Sequence, residues 1–264
     1  MANLEYSEAL GRLIRINEPA ERLGRSTLLE AFDAIDAGDG EQAKRLMESF
    51  RYEQQIIQDI YVDWIWAMLT WVQNRVGEPQ VETIMRETLG SWASERYANY
   101  LDLSFEERVA LTVEGMRGHL SGPGRLGNIE VTDEGERTVV AFDPCGSGGR
   151  ARRGDPERGI SPAVDRPEFG SSRDAHDWTW QEQGVCLYCS HCSLINEILP
   201  IERLGFPMRV TEYPRDADDK CRWILYRDPK QIPAEAYERV GKVKPSAQQL
   251  EQIWENVRAE QAGP

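Results

Sequence analysis

Apolar positions in the first half of the chain recur with a helical period. Ser26 precedes Leu28, Leu29, Phe32 and Ile35, a short amphipathic pattern running into the Ala-Gly-Asp-Gly turn at 37–40. No Gly or Pro interrupts Glu41 to Val76. Within it Leu46, Phe50, Ile57, Ile60, Tyr61, Trp64, Ile65, Met68, Trp71 and Val72 follow at helical spacing. The second half of that stretch is apolar around most of its circumference, which predicts a central, buried helix. Gly77 ends it. Pro79 suits the first turn of the next helix, carrying Val81, Ile84, Met85, Thr88, Leu89 and Trp92. Ser104-x-x-Glu107 has capping-box form and opens another helix through Val109, Val113 and Met116. The Trp and Met stripe reads as bundle core rather than the wall of a ligand pocket. Residues 1–25 give weak signals, and residues 1–118 are expected to form a helical bundle or cap.

The period then changes. Asn128 to Thr132 and Thr138 to Asp143 flank Asp-Glu-Gly-Glu as a hairpin, and Met208 to Tyr213 pairs with Cys221 to Arg227 as a second. Ser190 to Leu204 has helical character interrupted by Pro200. Pro233 to Val240 and Pro245 to Ala259 read as short terminal helices. The expected class is α+β, with the small antiparallel sheet and a Cys-rich metal site within 119–264. Pro144 to Val185 shows no periodicity and is crowded with Gly, Pro, Ser and Arg. Loops beyond roughly 12–15 residues are uncommon in compact domains, so an ordered loop wrapping a site is expected, ahead of disorder.

Composition narrows the function. The chain of 264 residues carries 31 Lys and Arg against 45 Asp and Glu, a formal charge of −14. That balance argues against nucleic acid as a partner. No apolar run approaches the roughly 20 residues of a membrane span. The first residues lack the basic and apolar regions of a signal peptide, so a cytoplasmic location is expected. A small-molecule substrate is the expected partner, and assembly into a homo-oligomer is left open. Five Cys, three of them within seven residues, fit metal or thiol chemistry better than a disulfide scaffold.

The clearest motif is Cys186-Leu187-Tyr188-Cys189-Ser190-His191-Cys192. C-x-x-C spacing lets two thiolates converge while backbone N–H groups bond the sulfurs, as zinc sites and iron–sulfur clusters both require. With a helix starting near Cys189, Cys189 and Cys192 lie one turn apart on one face. Cys145 and Cys221 supply the remaining ligands, with Cys186 or His176 as replacements. Zinc ranks slightly ahead of a [4Fe–4S] cluster, because the fourth Cys followed by Pro of ferredoxins is absent.

Cys145 also heads Cys-Gly-Ser-Gly-Gly, in which Gly146 and Gly148 let N–H groups converge as an anion nest. A Cys there is expected to have a lowered pKa and to act as a nucleophile. Arg150, Arg152, Arg153 and Arg158 follow as a basic cluster suited to an anionic group. His176 is the preferred general acid or base. His191 is expected to point away from a metal held by its neighbours, and His119 has little support. No nucleophile elbow, zinc-protease motif or dinucleotide fingerprint is present.

The run from Cys186 to Pro229 resembles the L-2-amino-thiazoline-4-carboxylic acid hydrolase-like proteins and the related 4-vinyl-reductase-type domains. The likeness rests on the Cys-bearing helix, the strand Arg209-Val210-Thr211-Glu212-Tyr213 and the ending Asp219-Lys220-Cys221-Arg222-Trp223. It implies an α+β sensor or hydrolase with Cys-rich metal or ligand binding. The leading expectation is therefore a metal-dependent hydrolase or lyase acting on a small anionic substrate, sulfur- and nitrogen-containing ones included. The alternatives are a non-catalytic metal, redox or small-molecule sensor with a structural Cys site, or an iron–sulfur protein.

Overall fold

The computed structural model describes residues 4–16, 19–119, 128–155 and 160–262, with the side chains of 92–96 excepted. The expectations for the Trp92 side chain, for 120–124 and for Arg158 lie outside these residues. The chain divides into two compact units, Met1–Tyr61 and Val62–Pro264.

In the first unit, the weakly patterned N-terminus forms a hairpin of β1 (Leu4–Ser7) and β2 (Arg12–Arg15). Helices α1 (Ala20–Leu23) and α2 (Thr27–Asp36) follow, with Ser26 accepting the Leu29 N–H as the α2 N-cap. Leu4, Ala31, Ala34, Ala43 and Leu46 make a small core.

The long apolar stretch is one helix, α3 (Gly40–Arg75), and the units divide within it. It is not buried all round, contrary to the expectation. Val62, Trp66, Leu69 and Val72 are buried, whereas Trp64 and Trp71 are 61 % and 58 % exposed. Helix α4 (Pro79–Asn99) has its Pro in the first turn, and α5 (Phe105–Gly118) carries the complete Ser104–Glu107 capping box. These helices belong to the same unit as the sheet, so the compact units do not divide at 118/119 where the sequence boundary was drawn.

Both hairpins exist, and they join into one antiparallel sheet. Strands β3 (Ile129–Asp133), β4 (Arg137–Phe142), β5 (Val210–Glu212) and β6 (Cys221–Tyr226) lie in the order β3-β4-β6-β5. Register pairs Val140 with Trp223, Phe142 with Cys221 and Thr211 with Trp223. Because strand side chains alternate, these residues share one face. Phe142, Trp223 and Leu225 there pack with Met116, Val109 and Val113 of α5. The opposite face, through Val139, Val210 and Ile224, meets the main core around Trp66, Trp178, Leu194 and Ile198.

The segment 144–185 is not structureless. It holds α6 (Gly148–Arg153), two short 3₁₀ turns and the bridges Asp155–Ile160 and Ser171–Cys186. Trp66 Nε1 donates to Gly170 O at 2.7 Å and Gly170 N to Thr70 Oγ1 at 2.8 Å, tying the segment to α3. After Cys186 come α7 (His191–Ser193), a π-helical turn (Leu194–Ile198) and α8 (Leu199–Leu204). The short α9 (Glu235–Glu238) and α10 (Ala247–Ala262) close the fold. Among the described residues no helix is long and apolar enough to cross a membrane.

Candidate functional site

Four thiols line one cavity of about 130 Å3. They arrive from three pieces of local structure. Cys221 starts β6 on the α5-facing side of the sheet. Cys145 follows β4, where Gly149 N–H donates to its sulfur at 3.0 Å. Cys189 and Cys192 sit three residues apart on one turn, with Cys192 N bonded to Cys189 O at 3.0 Å. Cys186 is buried and does not line the cavity; its sulfur accepts the Cys189 N–H at 3.4 Å, and its own N–H donates to Tyr213 Oη.

The glycine loop is shaped by this crowding. A Cβ on Gly148 would lie 2.6 Å from Cys189 Sγ and 3.0 Å from the Tyr188 ring, and one on Gly149 3.1 Å from Cys145 Sγ. Gly148 and Gly149 therefore serve close approach to the thiols, and both line the cavity, whereas Gly146 does not. The expected lowered pKa at Cys145 is corrected. Burial and the neighbouring Cys189 push this thiol up, against the Gly149 and Ser147 donors. Burial also raises Cys192 and Cys221. Cys189 is lowered, chiefly through its hydrogen bond with Cys186.

The arginines after the glycine loop divide. Arg152 lines the cavity with its guanidinium over the Tyr213 ring, yet donates to Pro214 O and Arg215 O, both at 2.8 Å. Arg153 binds the carbonyls of Ala217, Asp218 and Asp219 and pairs with Asp143 at 2.7 Å. Arg150 lies near Asp155 at 3.9 Å. Arg150 and Arg153 do not line the cavity, and their contacts lie within and beside the loop.

His176 is likewise elsewhere. Its Nε2 donates to Glu78 Oε1 at 2.9 Å and its ring stacks on Trp178. Glu78 also accepts the N–H groups of Arg173 and Asp174 and the Gln73 amide, at 2.7–3.1 Å. Burial works to raise this carboxyl, but the donors together outweigh it and hold it below the ordinary value of 4.5. Among the described residues, Glu78, Asp174 and His176 form the one group of three metal-ligand types whose ligand atoms all lie within 4.8 Å of one another.

Sequence reasoning underrated or missed several cavity residues. His191 and His119 both line it. Burial pushes His191 down to about 4, and its Nε2 is 3.6 Å from Cys192 Sγ. Arg209, Trp223, Trp180 and Tyr213 complete the wall. Arg209 Nε donates to Thr112 Oγ1 at 2.9 Å and Nη1 to Asn196 Oδ1 at 3.0 Å. The π turn buries Asn196 and Glu197, and Glu197 accepts Trp180 Nε1 at 2.8 Å, Thr211 N at 3.1 Å and Arg239 at 2.5 Å. The signal available for Arg209 and Trp223 was strand alternation: Trp223 lies two residues from Cys221, on the same face.

Comparison with models of known families, with curated proteins and with solved structures finds no match to this chain.

Proposed function

We propose that this chain is an iron–sulfur protein in which Cys145, Cys189, Cys192 and Cys221 ligate a [4Fe–4S] cluster used for one-electron transfer or redox sensing. The carrying observation is four thiols around one cavity with their sulfurs set apart. A tetrahedral zinc with Zn–S of about 2.3 Å brings its sulfurs to about 3.8 Å of one another, and no three of the five thiols lie within 4.8 Å. A cluster binds each thiolate to a different iron at the corner of a cube, so it takes more widely set sulfurs. The volume agrees. At roughly 10–15 Å3 per water-sized sphere, 130 Å3 is room for on the order of ten such atoms, the scale of four irons and four sulfides and far more than one ion needs.

Ligation by four thiols also bears on activity. Closed coordination suits electron transfer or a structural role, whereas Lewis-acid hydrolysis needs an open position. The hydrolase or lyase reading therefore requires one of the four thiols to stand aside. The test is iron, sulfide and zinc analysis of the full chain purified without oxygen, for wild type and for Cys145→Ala, Cys186→Ala, Cys189→Ala, Cys192→Ala and Cys221→Ala. The expected outcome is a brown wild type containing iron and sulfide, retained in Cys186→Ala and lost in the other four. A colourless protein with one zinc per chain would select zinc. One cavity variant that keeps its cluster would point to an open iron and restore the hydrolase or lyase reading.

A further inference from the structure

Among the described residues, the cavity wall beside the thiols carries one donor without an acceptor and one guanidinium without a carboxylate partner. Trp223 is 7 % exposed, lines the cavity, and its indole Nε1–H has no hydrogen-bond partner among the described residues. Arg209 lines the same cavity. Two of its nitrogens are engaged by neutral oxygens, and no carboxylate pairs with it among the described residues. Its guanidinium lies 5.1 Å from the centre of the Trp223 ring. Buried donors are ordinarily satisfied, and a buried cation is ordinarily paired. Two such exceptions side by side call for an anionic acceptor inside the cavity. A cluster held by four thiolates is that acceptor, since it carries net negative charge and its sulfurs accept N–H bonds.

Resting on the cluster reading above, we propose that Arg209 and Trp223 are positioning residues that raise the reduction potential of the cluster. Reduction adds one electron to an already anionic group. A fixed positive charge and N–H bonds to sulfur stabilise the reduced form more than the oxidised one, and both are recognised levers on such potentials. The wall is built for this in advance. Thr112 of α5 and Asn196 of the π turn hold the guanidinium from two sides. The sheet fixes Trp223 through its register with Val140 and Thr211. Arg152 differs, because its terminal nitrogens already donate to two backbone carbonyls.

The test is an anaerobic redox titration of the full chain, followed optically and by electron paramagnetic resonance, on wild type, Arg209→Gln, Arg209→Lys and Trp223→Phe. Arg209→Gln is expected to move the midpoint to more negative potential by the largest amount, with Arg209→Lys recovering most of it. Trp223→Phe, which keeps the ring and removes the N–H, is expected to give a smaller negative shift. It should also lose an exchangeable-proton coupling seen in the reduced wild type. Should Arg209→Gln fail to hold iron, Arg209→Lys and Trp223→Phe carry the test. Variants with full iron and sulfide and unmoved potentials would overturn the assignment alone. A wild type without iron or sulfide would overturn the cluster reading beneath it.

Discussion

Two places in this molecule gather side chains of metal-ligand type, and they differ in what remains after the protein has satisfied itself. At Glu78 the carboxylate accepts from two backbone N–H groups, an amide and an imidazole, so its lone pairs are used. The cluster ties the 170–176 segment to the junction of α3 and α4, and nothing in it calls for an added ion. At the thiol cavity the balance is reversed. Four sulfurs line a common space with the guanidinium of Arg209, which pairs with no carboxylate among the described residues, and with the unbonded indole N–H of Trp223. Compact ligand geometry alone favours the first site; unsatisfied chemistry favours the second. An unbonded donor on a cavity wall is the more informative sign, because buried polar groups are seldom left unmet.

The largest effect that sharpens this contrast is expected from Gly148→Ala. The added Cβ would stand 2.6 Å from Cys189 Sγ, so either the thiol or the Tyr188 ring must move. Displaced ligands of this kind cost affinity on the order of tenfold or more. Iron content should fall accordingly, with far-ultraviolet circular dichroism unchanged. Gly149→Ala, meeting Cys145 Sγ at 3.1 Å, should lose less. Equal iron content in Gly148→Ala and wild type would break the assignment of this loop to the site.

How much of this was legible beforehand follows from the range of each interaction. The capping box at Ser104, Pro79 in the first turn and both hairpins rest on neighbours a few residues apart, and all are present. The four cavity thiols were named from spacing and count. Their meeting place, however, depends on the β4–β6 pairing, which joins two hairpins far apart in sequence and carries no local signature. Helix α3 shows the limit from the other side. Hydrophobicity all round predicted burial, but Trp66 and Leu69 are buried while Trp64 and Trp71 are exposed, because periodicity cannot tell which apolar face a fold will cover. His176 shows the same limit. Its partner Glu78 lies 98 residues earlier, and only the fold shows that the imidazole is occupied there.

A middle-sized effect tests the self-satisfied site. Glu78→Gln removes the charge and turns an acceptor into a donor facing Arg173 and Asp174. It should cost about 2 kcal/mol, the scale of a hydrogen bond to a charged group left unmade, or a fall in Tm of about 6 °C for a unit of this size. Iron content should not change. The pH dependence follows from the lowered carboxyl. A group whose folded pKa lies below its unfolded one contributes fully above the unfolded value. The wild-type advantage should therefore be complete well above pH 4.5 and shrink as pH falls below it through the folded pKa. A difference in Tm that stays constant down to pH 3 would contradict the hydrogen-bonded carboxylate.

The smallest effect is expected from His176→Gln. The imidazole is one of four donor groups on Glu78, its ring rests 4.9 Å from the Trp178 ring, and it lines no wall of the thiol cavity. Removing it leaves the two backbone donors and Gln73 in place, and glutamine can return one N–H, so the expected loss of stability is about 1 kcal/mol or less. Iron and sulfide should be as in wild type, which separates His176 from the ligand set that spacing had suggested. A divalent metal titration provides the opposing outcome. With Glu78 already saturated by donors, added zinc or manganese should leave the Tm of an apo Cys189→Ala background unchanged, with or without His176→Gln. A rise in Tm that requires His176 would show that Glu78, Asp174 and His176 release their internal bonds to bind an ion. The contrast between the two sites would then be one of occupancy rather than of kind.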